Sequence, residues 1–325
     1  MERELYAGLD LGGTKIAAAV LTRGGRTVGE ARLSSRAGTS GDTVAADMVR
    51  AVRTALKSAD TTAKALRGVG IGAPGPLDWK AGVIQFAPNL GMRNYPLRLY
   101  VEDRLGVPVF LDNDVNMGTY GEYLAGAARG HHYVLGVFCG TGIGGGLVVD
   151  GKVFRGANGT AGEIGHTIVH DGGALCSCGQ RGCLEAYASR SAMARELVML
   201  ANVGQAPTVR EAAGTKLKAV KSGVIARAVA AGEPAVCAVV DQAAHYLGIG
   251  IANCVNLFSP DVVVLGGGLV EKLGGRFVKQ VGRSLHRHAM EAPARGVNVV
   301  PAQLGDAAAI HGSVGALREM LGESA

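Results

Sequence analysis

The sequence predicts an α/β protein of two domains with a ligand site in the cleft between its halves. Three observations predict it. The chain has 325 residues, 48% of them hydrophobic and 18% charged, enough to bury two cores. Two segments, starting near Leu5 and near Tyr133, each read as strand, glycine-rich turn, strand. Each is followed by stretches of helical periodicity and short buried strands, and no Pro/Ser-rich linker parts the halves, so the boundary near residues 115–130 is expected to be a hinge through helices. A cleft between two such halves is where a ligand sits.

The elements follow in order. Residues 5–10 form a strand that Gly12-Gly13 turn back into 16–21, with a third segment at 26–33; this is a meander where a nucleotide-binding βαβ unit would put a helix. Val44, Met48, Val49, Val52 and Leu56 give 42–59 helical spacing, and 68–72 is a buried strand. A strand over 107–111 leads into a helix over 114–124. The second half opens with a strand at 134–139, a glycine loop at 140–146, and a strand pair over 147–154 turned at Asp150-Gly151. The two halves share this pattern, with little residue identity between them. Helices are expected over 185–201, 209–231 and 233–257, the last with Val236, Val239, Val240, Ala243, Tyr246, Leu247 and Ile251 along one face. Residues 261–265 form a strand ending in Gly266-Gly267-Gly268, with a helix after it. A strand over 297–301 and a closing helix over 307–321 complete the chain.

The net charge of +6 and pI near 9.1 are mild, and the basic residues form no run, which argues against a nucleic-acid footprint. A positive field would still favour a nucleotide triphosphate. The start lacks the apolar stretch of a signal peptide, and no run reaches the roughly 20 apolar residues of a membrane span. The expectation is a cytoplasmic protein, a compartment in which clustered cysteines hold metal more often than disulfides.

Such a cluster is present: His166, Cys176, Cys178 and Cys183 lie in the order His-x9-Cys-x-Cys-x4-Cys, while Cys139, Cys237 and Cys254 are scattered. Thiolates and imidazole are the donors of a closed four-coordinate zinc site, and Gly172, Gly173, Gly179 and Gly182 let the loop fold tightly. Glu163 and Glu185 flank it, so the metal is expected to shape a pocket.

Two glycine loops invite phosphate. Gly8-Leu9-Asp10-Leu11-Gly12-Gly13-Thr14-Lys15 nearly spells a P-loop, but ends Gly-Thr-Lys and continues into a strand. It fits either an ordinary hairpin or a turn whose N–H groups and Thr14 hydroxyl approach phosphate, with Asp10 placed to hold Mg2+ through water. Gly140-Thr141-Gly142-Ile143-Gly144-Gly145-Gly146 contains GxGxxG, yet no helix follows, so the dinucleotide fingerprint fails. Gly266 to Gly268 fit close passage of a nucleotide and tight helix packing equally. Asp112-Asn113-Asp114, after a buried strand, fits a helix cap. Beside two phosphate loops it also supplies the carboxylate that phosphoryl transfer needs to take the proton of an attacking hydroxyl.

Together these motifs, with Gly72-Ala73-Pro74-Gly75 and Glu163-Ile164-Gly165-His166, make the chain resemble bacterial sugar kinases of the ROK family over essentially its whole length. The resemblance implies an actin-like, hexokinase-type (ribonuclease H-like) fold of two α/β domains around a cleft. The smaller would comprise 1–120 and about 303–325, and the larger 121–302 with the zinc loop. It implies ATP and Mg2+ as cosubstrates, Asp114 as catalytic base, and Gly75, Asn89, Asn113, Asp114, Glu163, His166 and Glu185 at the sugar. Asp10, Gly12, Gly13, Thr14, Lys15, Gly140, Thr141, Gly142, Gly266, Gly267 and Gly268 would meet the nucleotide. His166, Cys176, Cys178 and Cys183 would hold structural zinc, with the second ring nitrogen of His166 on the sugar. The members most similar in pattern are glucokinases, which phosphorylate the 6-hydroxyl; Ala87-Pro88-Asn89-Leu90-Gly91 points the same way, whereas Met92 stands where those often carry tryptophan. Kinases of fructose, mannose, N-acetylglucosamine or N-acetylmannosamine, and a sugar-sensing repressor, are the alternatives. Family members are often dimers or tetramers, and no nucleic-acid or membrane partner is implied.

Overall fold

The computed structural model describes residues 4–13, 15–36 and 38–323, so Thr14 lies outside the described residues. The chain divides into two compact units. Met1–Gly130, Gly146–Ala161 and Gln303–Ala325 make the first, and His131–Gly145 with Gly162–Ala302 the second.

The first unit begins with β1 (Leu5–Leu11), β2 (Lys15–Thr22), β3 (Thr27–Ser34), α1 (Gly41–Ser58) and β4 (Leu66–Ala73). Three short strands follow, β5 (Leu77–Asp78), β6 (Val83–Ala87) and β7 (Met92–Tyr95), then α2 (Leu97–Leu105), β8 (Val109–Asn113) and α3 (Asp114–Ala125). The chain continues through β9 (Tyr133–Cys139), β10 (Ile143–Val149), β11 (Lys152–Val153), α4 (Glu185–Ala188), α5 (Arg190–Asn202), α6 (Pro207–Ala213), α7 (Ser222–Ala230) and α8 (Pro234–Phe258). It ends with β12 (Val262–Gly266), α9 (Gly268–His288), α10 (Glu291–Ala294), β13 (Asn298–Pro301) and α11 (Ala308–Met320).

The first sheet has the order β3-β2-β1-β4-β8, with the meander antiparallel and β1, β4 and β8 parallel. Alternation along β1 sends Leu5, Ala7, Leu9 and Leu11 into the core shared with α1. The opposite face is trimmed for α11. A Cβ at Gly8 would come within 2.6 Å of the Ile310 side chain, and one at Gly70 within 2.2 Å of the Ser313 carbonyl oxygen. The helix can therefore lie almost on the backbone, with Val314 and Leu317 buried.

The second sheet has the order β11-β10-β9-β12-β13, and β12 runs parallel to both β9 and β13. Val262 to Leu265 are wholly buried, as a strand covered on both faces must be. α8 packs against α9, burying Val236, Val239, Val240, Ala243, Leu247 and Ile251. Among the described residues α8 is also the one helix long and apolar enough to cross a membrane by length and composition, a test that no sequence run was expected to meet; 56% of its most apolar window is buried within the protein.

Three stretches differ from expectation. The helix expected over 185–201 breaks at Ser189, whose hydroxyl caps α5 by accepting the Ala192 amide at 3.1 Å. The helix expected over 209–231 is two helices, because Gly214 leaves the helical region at φ 55°. The sheet β5-β6-β7 and α2 were not expected, since such short strands carry too few residues to display alternation.

Candidate active site and metal centre

In the first unit the parallel strands bring their C-terminal ends together: Asp10 is level with Gly72, Gly72 with Asp112, and Ala73 with Asn113. Asn113 caps α3, accepting the amides of Val115 at 2.9 Å and Asn116 at 3.1 Å. Asp114 is therefore the first residue of α3, and its Oδ1 accepts the Val115 amide at 2.9 Å. A Cβ at Gly72 would stand 3.4 Å from Asp114 Cα, and one at Gly75 3.6 Å from Asn113 Nδ2, so both glycines border this corner.

Burial pushes Asp10 up to about 7, and the charges of Asp114 and Asp306 add to the rise while Lys15 opposes it. Lys15 is shared: its Nζ lies 2.6 Å from Asp306 Oδ2. The hairpin between β1 and β2 is closed by the Gly12 amide on the Lys15 carbonyl at 2.8 Å, and Gly13 faces open space. Crowded carboxylates with one lysine among them fit a divalent cation at Asp10. Asn89 sits on an exposed 3-10 turn where its carbonyl accepts the Gly38 amide, and its side chain makes no hydrogen bond among the described residues.

In the second unit three sequence motifs converge. The amide of Ile143, in the glycine loop, donates to Glu185 Oε2 at 2.9 Å, while Ser177, in the cysteine loop, donates to Glu185 Oε1 at 3.0 Å. A Cβ at Gly142 would fall 2.2 Å from that carboxylate, so a larger residue would have to displace the glutamate from these two donors. Gly145 packs on the Gly162 carbonyl and Gly165 on that of Ile143, docking the turn that holds Glu163 and His166 onto β10. Arg190 bonds the Thr141 hydroxyl, and the Ser191 hydroxyl donates to the Thr141 carbonyl at 2.7 Å. Gly266 and Gly267 are accounted for by packing, since Cβ atoms there would meet Phe138 at 2.8 Å and the Cys139 carbonyl at 2.4 Å; Gly268, opening α9, faces open space.

The donor atoms of His166, Cys176, Cys178 and Cys183 all lie within 4.8 Å of one another. His166 Nδ1 is 3.7 Å from Cys176 Sγ, and Cys178 Sγ is 3.7 Å from Cys183 Sγ. Burial, then the neighbouring sulfurs, push the Cys183 thiol up to about 12, whereas a backbone hydrogen bond at Gln180 lowers Cys178. Four such donors around one point fit a tetrahedral metal ion, which would replace this thiol crowding with thiolate ligation.

The family model that matches is described as "ROK family" and spans residues 6–319. A glucokinase of Halalkalibacterium halodurans is 36% identical over 318 residues, covering 96% of this chain and 94% of that protein. A putative xylose repressor of a Caldicellulosiruptor species is 33% identical, covering 95% of this chain and 77% of that protein. The solved structure of a ROK family glucokinase from Streptomyces griseus, in complex with glucose and AMPPNP, superposes with a TM-score of 0.84 at 33% identity, over 97% of this chain and 99% of that one.

The chain belongs to the ROK family. Its fold is the actin-like α/β fold of that family. Sequence reasoning placed Asp112 of this ROK protein only in a helix-cap cluster and missed its partner. Buried Asp112 pairs with Arg155 Nε at 2.6 Å and accepts the Asn113 amide at 2.7 Å, so it braces the strand end that carries Asn113 and Asp114. Asp306 and Arg190 were likewise missed. Their only local signals are an acid just before the closing helix and a cation just after the Ser189 cap.

Proposed function

We propose that this chain is an ATP-dependent hexose 6-phosphotransferase acting on glucose, with Asp114 as general base. The observation that carries the reading is the position of Asp114, first on α3 at the end of β8, beside Asn113 and close enough to Asp10 to raise its pKa. In this reading a carboxylate oxygen of Asp114 takes the proton of the sugar 6-hydroxyl as the hydroxyl oxygen bonds to the γ-phosphorus of ATP. The bond from that phosphorus to the bridging oxygen breaks and ADP leaves. Of the residues proposed for the sugar hydroxyls, Gly75, Asn89 and Asn113 belong to the first unit and Glu163, His166 and Glu185 to the second. For the phosphates, the first unit offers the Gly13 amide, Lys15 and the Thr14 hydroxyl, and the second unit the Gly142 amide and the Thr141 hydroxyl, with Gly268 for the nucleoside. Magnesium, bound through Asp10, would supply charge neutralisation at the phosphates. Zinc, on His166 Nδ1 and the three sulfurs, would stabilise the loop and fix the tautomer that leaves Nε2 for the sugar.

The test is a panel of hexoses and N-acetylhexosamines assayed with ATP and with polyphosphate. Glucose with ATP is expected to give the highest kcat/KM, with glucose 6-phosphate as product. Another preferred sugar overturns the substrate, and no turnover of any sugar overturns the kinase. The 33% identity to a putative xylose repressor favours one second reading, a sugar-binding regulator. Sugar-dependent retention of duplex DNA in a gel-shift assay without turnover would support that instead.

A further inference from the structure

β8 is an edge strand of the first sheet, and a cavity of about 480 Å³ opens beside it. Its wall contains Trp79, Phe110, Lys80, Arg98, Arg155 and Glu319. The single acid is occupied, since Glu319 accepts the Tyr120 hydroxyl. Arg155 is paired with buried Asp112, but neither Lys80 nor Arg98 joins an ion pair among the described residues.

The cations are held in place by the fold. The Arg98 amide donates to the Gly82 carbonyl at 3.1 Å and its guanidinium to the Lys80 carbonyl at 3.0 Å. A Cβ at Gly82 would stand 2.4 Å from Arg98 Cβ, so the missing side chain is the space through which Arg98 reaches the cavity. The Arg155 guanidinium lies 4.5 Å from the Trp79 ring centre and 6.0 Å from that of Phe110, and Lys80 Nζ is 5.7 Å from the same indole. Three cations against Asp112 and Glu319 leave a net positive charge beside a flat aromatic wall, in a cavity of small-molecule size, which suits a negative group joined to a planar one.

We propose that this cavity is a second ligand site, for a small organic anion that joins a flat unsaturated group to a phosphate or carboxylate. It goes beyond the kinase reading, because none of these side chains belongs to the sugar or nucleotide sets. Two contacts connect it to those sets. Arg155 neutralises Asp112, which holds the Asn113 amide next to Asp114. The Trp79 indole sits 3.4 Å from where a Cβ at Gly159 would be, in the segment that runs on to Glu163. An occupant that draws Arg155 toward itself loosens Asp112 and with it the strand end, so binding raises the KM for sugar.

Trp79 is the only tryptophan in the chain, so its emission reports the site directly. Phenyl phosphate is the probe, with inorganic phosphate carrying the charge alone and phenol the ring alone. The expected result is a saturable emission change with phenyl phosphate and affinity at least about tenfold weaker for either control. In a K80M/R98M variant the phenyl phosphate affinity falls by about tenfold or more while kcat for sugar is retained. Sugar KM rises with phenyl phosphate in the unaltered protein and not in the variant. No saturable change, equal affinity for inorganic phosphate, or equal affinity in the variant overturns the site; binding with an unchanged sugar KM overturns the coupling. The emission arm requires no turnover, so failure of the kinase reading and failure of this site are separate results.

Discussion

Oε1 of Glu122, on α3, accepts the backbone amide of Leu304 at 2.8 Å. The same carboxylate accepts the amides of Gln303 and Ala127, and Glu122 is fully buried. One side chain thus anchors the segment that returns to the first unit, and two residues after Leu304 that segment delivers Asp306 to Lys15. The helix that starts with the proposed base also fixes the partner of the lysine in the β1–β2 hairpin.

Glu122→Ala leaves three amides without their acceptor, of which those of Ala127 and Leu304 are part-buried and that of Gln303 is on an exposed residue. With an orphaned buried donor costing about 1–3 kcal/mol and water reaching Gln303, the loss of stability is expected to be on the order of 2–6 kcal/mol, and Glu122→Gln, which keeps one carbonyl oxygen, should lose less. Urea unfolding of the two variants checks the order. Equal stability of Glu122→Ala and the unaltered protein would remove the anchor.

Asp114→Asn is expected to lower kcat by roughly 10²–10⁴-fold, the contribution of a general base, while sugar binding is retained because an amide still bonds a hydroxyl. Calorimetric titration with glucose beside steady-state turnover separates the two effects. Near-normal kcat would take Asp114 out of the role.

Asp10 makes stability depend on pH with a definite sign. Its folded value, about 7, lies above the ordinary 3.8, so between these limits the folded protein binds more protons than the unfolded chain. The contribution of this group is therefore fully present below about pH 4 and is lost as pH rises through 7. At 1.36 kcal/mol per pKa unit the loss is at most on the order of 4 kcal/mol. Denaturation of the nucleotide-free protein from pH 5 to 8, with Asp10→Asn as the flat reference, measures it. Parallel curves for the two proteins would contradict the assignment.

Cys178→Ala is expected to reduce stability and sugar affinity together, because the cysteine loop also carries Ser177 to Glu185 and Glu185 to the Ile143 amide. Loss of a closed metal site of several kcal/mol corresponds to a fall in Tm of about 5–10 °C or more. Elemental analysis should find one zinc per chain in the unaltered protein; freshly purified protein without zinc would refute the metal centre.

Gly142→Ala tests the glycine loop. Its Cβ would be 2.2 Å from the Glu185 carboxylate, so either the loop or the glutamate must shift. KM for both ATP and sugar should rise, by roughly tenfold for a displacement costing about 1.4 kcal/mol. A change in neither would show that the contact can relax without consequence.

Much of this protein is local in origin and could be read from residue order alone. The spacing of His166, Cys176, Cys178 and Cys183 already placed four donors on one loop, and the fold brings their donor atoms within 4.8 Å of one another. The turns at Gly12-Gly13 and Asp150-Gly151 and the helix beginning at Asp114 follow from turn and capping chemistry acting over a few residues. The partners of Asp306, Asp112, Glu122 and Glu185 were not legible, because each contact joins residues far apart along the chain: Lys15 with Asp306, Asp112 with Arg155, Glu122 with Leu304 and Glu185 with Ile143. No periodicity or spacing encodes such a pair. Sheet register and helix packing decide which carboxylate meets which donor, and buried Asp112 and Glu122 must find one or lose stability in the low-dielectric interior.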